Sequence, residues 1–164
     1  MQLTTVNPGA ILGPVVSQDV STSINIVKSL LDGSIPGVPR FGWPLVDVRD
    51  VADLHVKAMT APQAAGQRYI GAGPFYWMHD IAEVLRTRVP ELAKRVPRRS
   101  IPSWFLRIAG RFDPAVSHRL FELDVFRPVS AQKAKSQLGW QPRSNDDAIV
   151  ATAQTLAREH LVRA

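Results

Sequence analysis

The side chains that could do chemistry in this sequence are few, and spacing removes several of them at once. The four histidines, His55, His79, His118 and His160, lie too far apart to match a metal-ligand pattern. There is no cysteine, which excludes disulfides and thiolate zinc sites. His55 shares a helical stripe with Val51, Ala58 and Met59 and is expected to be a satisfied core histidine. Asp47-Val48-Arg49-Asp50 concentrates charge at a strand-to-helix junction. Asp50 there reads as a helix N-cap, while Arg49 either salt-bridges locally or faces a substrate anion. Phe41 and Trp43, beside Gly42 and Pro44, wall an apolar pocket or anchor a loop. Gly71 and Gly73 form the one G-x-G, after a strand, but Tyr76 stands where a third glycine would be needed.

The elements that must position these residues can be read from periodicity. Leu3 to Val6 is rich in β-branched residues and reads as a buried strand. VNPGAILGP then breaks on Pro8-Gly9 and again on Gly13-Pro14. Val20, Ile24, Val27 and Leu31 fall on one stripe of a helix over 19–32, stopped by Gly33. Leu45 to Val48 is a short strand, followed by a helix from Asp50 through Met59 that Pro62 ends. Gln67 to Ile70 is another strand, and a helix follows over Met78 to Arg88. Beyond it, Ser103 caps a short helix to Ala109, a second covers 115–123, and Ser130 caps one that stops at Gly139. A last helix starts at Asn145 or Asp146 and reaches Leu161, with Ile149, Ala153, Leu156 and His160 on one side. Trp140 is a packing anchor between the last two helices. Strands alternating with helices, then a helix-rich tail, predict an α/β chain with parallel pairing. The strands are few, so the sheet is expected to be incomplete.

Composition narrows the class. The chain has 164 residues, 45% of them hydrophobic and 21% charged, which is ordinary for one globular domain and excludes wholesale disorder. No apolar run reaches the roughly 18 residues of a membrane span, and no signal peptide is visible; a cytoplasmic location follows by default. The net charge is +6, with much of the excess between Arg86 and Arg111. A basic patch can serve phosphates, but no recognition motif accompanies it, and nucleic acid is not the expected partner.

VNPGAILGP, PLVDVRDVADLHVKAM, GQRYIGAG and KSQLGWQPRS occur in the order and spacing of the extended short-chain dehydrogenase/reductases. The chain most resembles the dihydroflavonol-reductase and aldehyde/ketone-reductase branch of the NAD-dependent epimerase/dehydratase proteins. The resemblance covers nearly all of it, most weakly over 90–128. It implies the C-terminal portion of a Rossmann-type doubly wound fold, with late parallel strands interleaved with substrate-binding segments over about 1–75 and a helix-rich substrate-binding part over about 76–164. Such enzymes carry a glycine fingerprint for the pyrophosphate and a Tyr-x-x-x-Lys acid/base pair. Neither is present: Tyr69 is followed four residues on by Gly73, and Tyr76 by Asp80. No catalytic residue is therefore assigned.

The resemblance implies that Pro8, Gly9, Ala10 and Ile11 lie against the nicotinamide, where Gly9 would permit close backbone approach; the alternative is a plain strand exit. It implies that a serine near Ser23 contacts the cofactor, although Ser17, Ser21 and Ser23 can equally cap the helix. Ser21, Phe41, Trp43 and Arg49 are the candidate substrate contacts, and no metal is expected. The cofactor is NAD or NADP, held by the complete parent and weakly or not at all by this chain alone. The expected function is the substrate-binding part of an NAD(P)-dependent oxidoreductase of carbonyl or alcohol substrates. It would be catalytically incompetent alone, and it would self-associate or pair with a missing N-terminal half. The alternatives are a non-catalytic ligand- or partner-binding domain of that fold, and a basic nucleic-acid-binding module. Membrane is not an expected partner.

Overall fold

The computed structural model describes residues 3–16 and 20–162. The chain runs β1 (Thr5–Pro8), β2 (Ala10–Leu12), α1 (Thr22–Asp32), β3 (Gly42–Asp47), α2 (Val48–Thr60), β4 (Arg68–Gly71), β5 (Phe75–Trp77) and α3 (Met78–Arg88). It continues through α4 (Ser103–Ala109), α5 (Pro114–Ser117), α6 (Gln132–Leu138) and α7 (Asn145–Arg158), with single 3₁₀ turns at Pro62–Ala64 and Leu120–Glu122.

The opening strand changes partner at Gly9. Below it, β1 pairs parallel with β4, Thr5 opposite Arg68 through Pro8 opposite Gly71. Above it, β2 pairs parallel with β3, Ala10 opposite Leu45 through Leu12 opposite Asp47. On its far side Leu45 exchanges backbone bonds with Gly73 (2.7 Å) and Pro74 (3.3 Å). So β3 enters as a wedge between the opening strand and the continuation of β4. The wedge tip is Pro44, and a Cβ on Gly9 would collide with the Pro44 carbonyl oxygen and stand 3.1 Å from the Ala72 Cβ. β5 closes the far side antiparallel to β3, Gly42 opposite Trp77 and Pro44 opposite Phe75. This strand escapes the sequence reading because three aromatic residues carry no period-2 contrast.

Both faces of the sheet are covered, which is what parallel strands require. Leu45 looks into a core formed with Val27, Leu30, Ile81, Leu85, Ile149 and Leu156, from α1, α3 and α7. The next residue, Val46, looks the other way, toward Leu54, Tyr69, Ala134, Leu138 and Trp140, from α2, β4, α6 and the α6–α7 turn. The helix over Met78 to Arg88 lies where periodicity places it. Gly33 and Gly139 stop their helices at φ 64 and 61, the left-handed conformation that favours glycine.

Several expectations need correction. The opening strand is not buried: Thr5, Asn7 and Pro8 are exposed, and among the described residues β1 pairs with a strand on one side only. Asp50 is not the cap of α2. The cap is Asp47, whose side chain accepts from the Arg49 amide, and Asp50 is instead buried one turn in, paired with the Arg143 guanidinium and accepting from the Arg143 amide at 2.8 Å. His55 is exposed, its Nδ1 only 2.8 Å from the Val51 carbonyl oxygen one turn back. Ser103 caps nothing; its hydroxyl donates to Asp124 at 2.7 Å. Ser130 accepts from the Gln132 amide at 3.2 Å, one residue before the cap position at Ala131. The expected helix over 115–123 is α5 followed by a 3₁₀ turn. α7 ends at Arg158, before His160, which turns away at φ 55. Trp140 is fully buried, and it anchors α2 by donating to the Asp50 carbonyl at 2.9 Å rather than joining α6 to α7 alone.

The collision at Gly9 has a measurable consequence. Gly9→Ala puts a methyl group into backbone that cannot swing aside, and such overpacking costs about 1–3 kcal/mol. Urea unfolding of the two proteins is expected to show that loss; equal midpoints would mean the strands do not part as tightly as described.

Candidate functional site

The wedge gathers most of the sequence candidates. Pro8 to Ile11 do not form a strand exit, because the strand continues as β2 and leaves the sheet at Gly13, where φ is 118. Two hydrogen bonds to Thr152 hold that exit, from the Gly13 amide at 2.7 Å and to the Gly13 carbonyl at 3.0 Å. Ser23, in the first turn of α1, donates to the Ile11 carbonyl at 2.5 Å. Ser21 caps α1 by accepting from the Ile24 amide, and its hydroxyl lies 3.1 Å from that of Ser23. Ser17 falls outside the described residues. Trp43 precedes Pro44, the residue pressed against Gly9, so this indole and the 8–11 segment adjoin through a single peptide unit.

Phe41 and Trp43 face each other with ring centroids 6.3 Å apart, tilted by 36°. They wall a groove of about 290 Å³ whose other apolar sides are Ile26, Ile35 and Met78. Its polar atoms come from the α1 residues Thr22, Asn25 and Ser29, and from Arg119. Neither Met78 nor Arg119 was distinguishable in sequence. Met78 reads as a helix start, and Arg119 comes from the segment with the weakest periodicity.

Arg49 is not drawn into this groove. Its guanidinium forks onto Asp47, with Nε at 2.9 Å and Nη2 at 2.7 Å. Burial pushes the Asp47 carboxyl upward, but the Arg49 side chain and amide, with the charges of Arg49 and Arg143, outweigh it and hold Asp47 below its ordinary value. Arg49 thus secures the β3–α2 junction directly opposite Leu12.

The remaining candidates are structural. Gly71-Ala72-Gly73 leads into β5 rather than into a helix, and a Cβ on Gly73 would meet the Asn145 side chain at 2.5 Å and the Leu45 carbonyl at 3.1 Å. A pyrophosphate cradle needs free helix-terminal amides, and this packed turn offers none. The Tyr76 hydroxyl donates to Asp146 at 2.8 Å, and burial together with Asp146 pushes it up to about 12. It stays protonated through neutral pH with no lysine one turn away. Lys133 lies over the ring of Tyr69 at 5.2 Å, but its ammonium binds Gln67, and the Tyr69 hydroxyl donates to Gln137. For a nicotinamide, the fitting feature is the edge of β2 that no strand covers among the described residues. Part of the 8–11 backbone is already engaged: the Gly9 amide bonds to Gly71 and the Ile11 carbonyl to Ser23.

Comparison with known proteins defines the class and then the family. No protein-family model matches the chain. The crystal structure of yeast methylglyoxal/isovaleraldehyde reductase complexed with NADPH matches with a TM-score of 0.71 and 26% identity, over 98% of this chain and 45% of that one. The fold is therefore that of the Rossmann-type reductases. The ketoreductase azaE of Aspergillus niger is 34% identical over 138 residues, 78% of this chain and 40% of the relative. The NADPH-dependent methylglyoxal reductase of Saccharomyces cerevisiae is 32% identical over 163 residues, 96% of this chain and 43% of the relative. The chain belongs to the extended short-chain dehydrogenase/reductase family and spans less than half the length of these relatives. Among the described residues no helix is long and apolar enough to cross a membrane.

The Asp47 pairing sets a pH dependence. A carboxyl held below its ordinary pKa contributes stability that is present above the unfolded value and lost as pH falls through the folded one. Asp47→Asn keeps a good N-cap and removes the charge. It should cost about 1 kcal/mol at pH 7, a modest figure because the guanidinium is partly exposed. The gap should close as pH drops below about 4. A gap of constant size from pH 7 to 3 in chemical unfolding would show that the ion pair contributes nothing.

Proposed function

We propose that this chain is the C-terminal, substrate-binding part of an NAD(P)-dependent carbonyl reductase. In this reading residues up to about 75 supply the late strands beside the cofactor, and the rest supplies most of the substrate side. Bound NAD(P)H would deliver hydride to the carbonyl, and the acid and the pyrophosphate cradle come from a segment not in this chain. Pro8 to Ile11 and Ser23 flank the nicotinamide, Ser23 by fixing the Ile11 carbonyl. Ser21, Phe41 and Trp43 shape the substrate's place. Arg49 acts at a distance, through Asp47, on the junction beside the β2 exit. The partner is a small molecule, the setting cytoplasmic, and the open edge of β1 with the exposed Leu3, Val56 and Met59 beside it is where the other half docks.

The observation that carries this is the fork itself. It sets the 8–11 segment and the start of β3, which carries Trp43, side by side just past the carboxyl ends of β1 and β4, and ligands of open α/β sheets bind beyond the carboxyl ends of strands. A ligand-binding domain that has lost catalysis would use the same groove, and cofactor dependence separates the two.

The chain alone is expected to show no nicotinamide-dependent turnover of a carbonyl compound above a buffer control, since losing an acid/base group alone costs about 10²–10⁴ in rate. Joined to a segment carrying the glycine fingerprint and Tyr-x-x-x-Lys, it should reduce apolar ketones. Trp43→Ala should then raise KM for the ketone with little change for the cofactor. Turnover by the chain alone, or a Trp43→Ala effect confined to the cofactor, would refute the assignment.

A further inference from the structure

The groove beside Trp43 is lopsided in charge. Its walls are apolar on the Ile26, Ile35, Phe41, Trp43 and Met78 sides, and among the described residues no acidic residue lines it and its one charged group is Arg119. Arg40 and Arg107 both face Asp124, at 3.9 and 3.2 Å, and Arg127 lies over the Phe121 ring. Among the described residues no carboxylate pairs with Arg119. A single unpaired cation at the rim of a low-dielectric groove concentrates field lines there and raises the local concentration of anions. A guanidinium also presents a planar donor fork, which matches a carboxylate in two parallel bonds.

We propose that the groove takes a substrate with two parts, a flat apolar body lying against the wall that Phe41 and Trp43 form and a carboxylate held by Arg119. This rests on the reading of the groove as the substrate's place and adds the substrate class: keto acids with an aryl or comparable apolar group, in preference to neutral ketones of the same shape. The neutral side chains Thr22, Asn25 and Ser29 give the carboxylate further donors along α1. Arg119 sits just before the 3₁₀ turn Leu120–Glu122, so its backbone position is fixed by that turn while its side chain is exposed and free to close on the ligand.

The test needs no cofactor. The purified chain is titrated with 4-oxo-4-phenylbutanoate and, separately, with its methyl ester, following tryptophan fluorescence; Trp43→Phe identifies the part of the signal that comes from the groove. The acid is expected to bind about tenfold tighter than the ester, with a preference that shrinks as salt is raised. Arg119→Gln should bring the acid down to the ester's affinity and leave the ester unchanged, and Arg119→Lys should keep part of the preference. Arg119 is exposed, so these variants should fold. Equal affinity for acid and ester in the unaltered chain, an acid preference that survives Arg119→Gln, or no binding of either probe would overturn the proposal. Its failure is separate from that of the reductase reading: an acid preference without any cofactor effect would leave the groove and remove the reductase, and cofactor-dependent reduction of neutral ketones only would do the reverse.

Discussion

The contact between Gly9 and the Pro44 carbonyl is the constraint on which the rest of the molecule depends. A side chain at position 9 would hold the opening strand and β3 apart. With none there, β3 can wedge between two strands that lie side by side lower down, and one strand serves two ladders in succession. From that fork follow the position of Leu45 and Val46 on opposite faces, the two cores that clamp them, and the closeness of Trp43 to the 8–11 backbone. The glycine that the resemblance suggests is open to a cofactor is therefore already in use within the fold. Its conformational freedom is not the reason; the missing Cβ is.

Charge secures what packing starts. Asp47 and Asp50, three residues apart, are both buried and hold different partners: Asp47 caps α2 and grips Arg49, while Asp50 reaches the turn before α7 through Arg143. Trp140 closes the same joint by donating to the Asp50 carbonyl. Burying a carboxylate is costly unless it is paired. These two are each met by a guanidinium and a backbone amide, so the β3–α2 corner can sit rigidly beside the candidate site. Helices from the C-terminal third thus brace the sheet, with Thr152 of α7 holding the Gly13 exit and Asn145 holding Pro74 at 2.9 Å.

Much of this was legible in the sequence where a pattern is local. The helix over Met78 to Arg88 shows in its period, and the stops at Gly33 and Gly139 show in residue type. The order of the four motifs indicates a partial doubly wound fold. What was hidden is what depends on distant residues. Asp50 looks like a cap because it precedes a helical run, but Arg143, ninety-three positions on, draws it inward as a buried ion and the cap shifts to Asp47. His55 has the spacing of a core residue, yet it stands exposed at the margin of the stripe whose Val51 and Ala58 are buried. The opening strand has a core strand's composition, yet among the described residues only β4 pairs with it. Arg119 could not be singled out, because its significance lies only in the apolar groove assembled from α1, β3 and α3.

Pro8 to Ile11 and the start of α1 are proposed to flank the nicotinamide together. Amide hydrogen exchange of the chain joined to a segment carrying the glycine fingerprint and Tyr-x-x-x-Lys, with and without NADPH, tests this most directly. Slower exchange with NADPH at residues 9–11 and 21–25, against an unchanged α6, is the predicted result. Protection that appears elsewhere in the chain and leaves those two segments unaltered would contradict it.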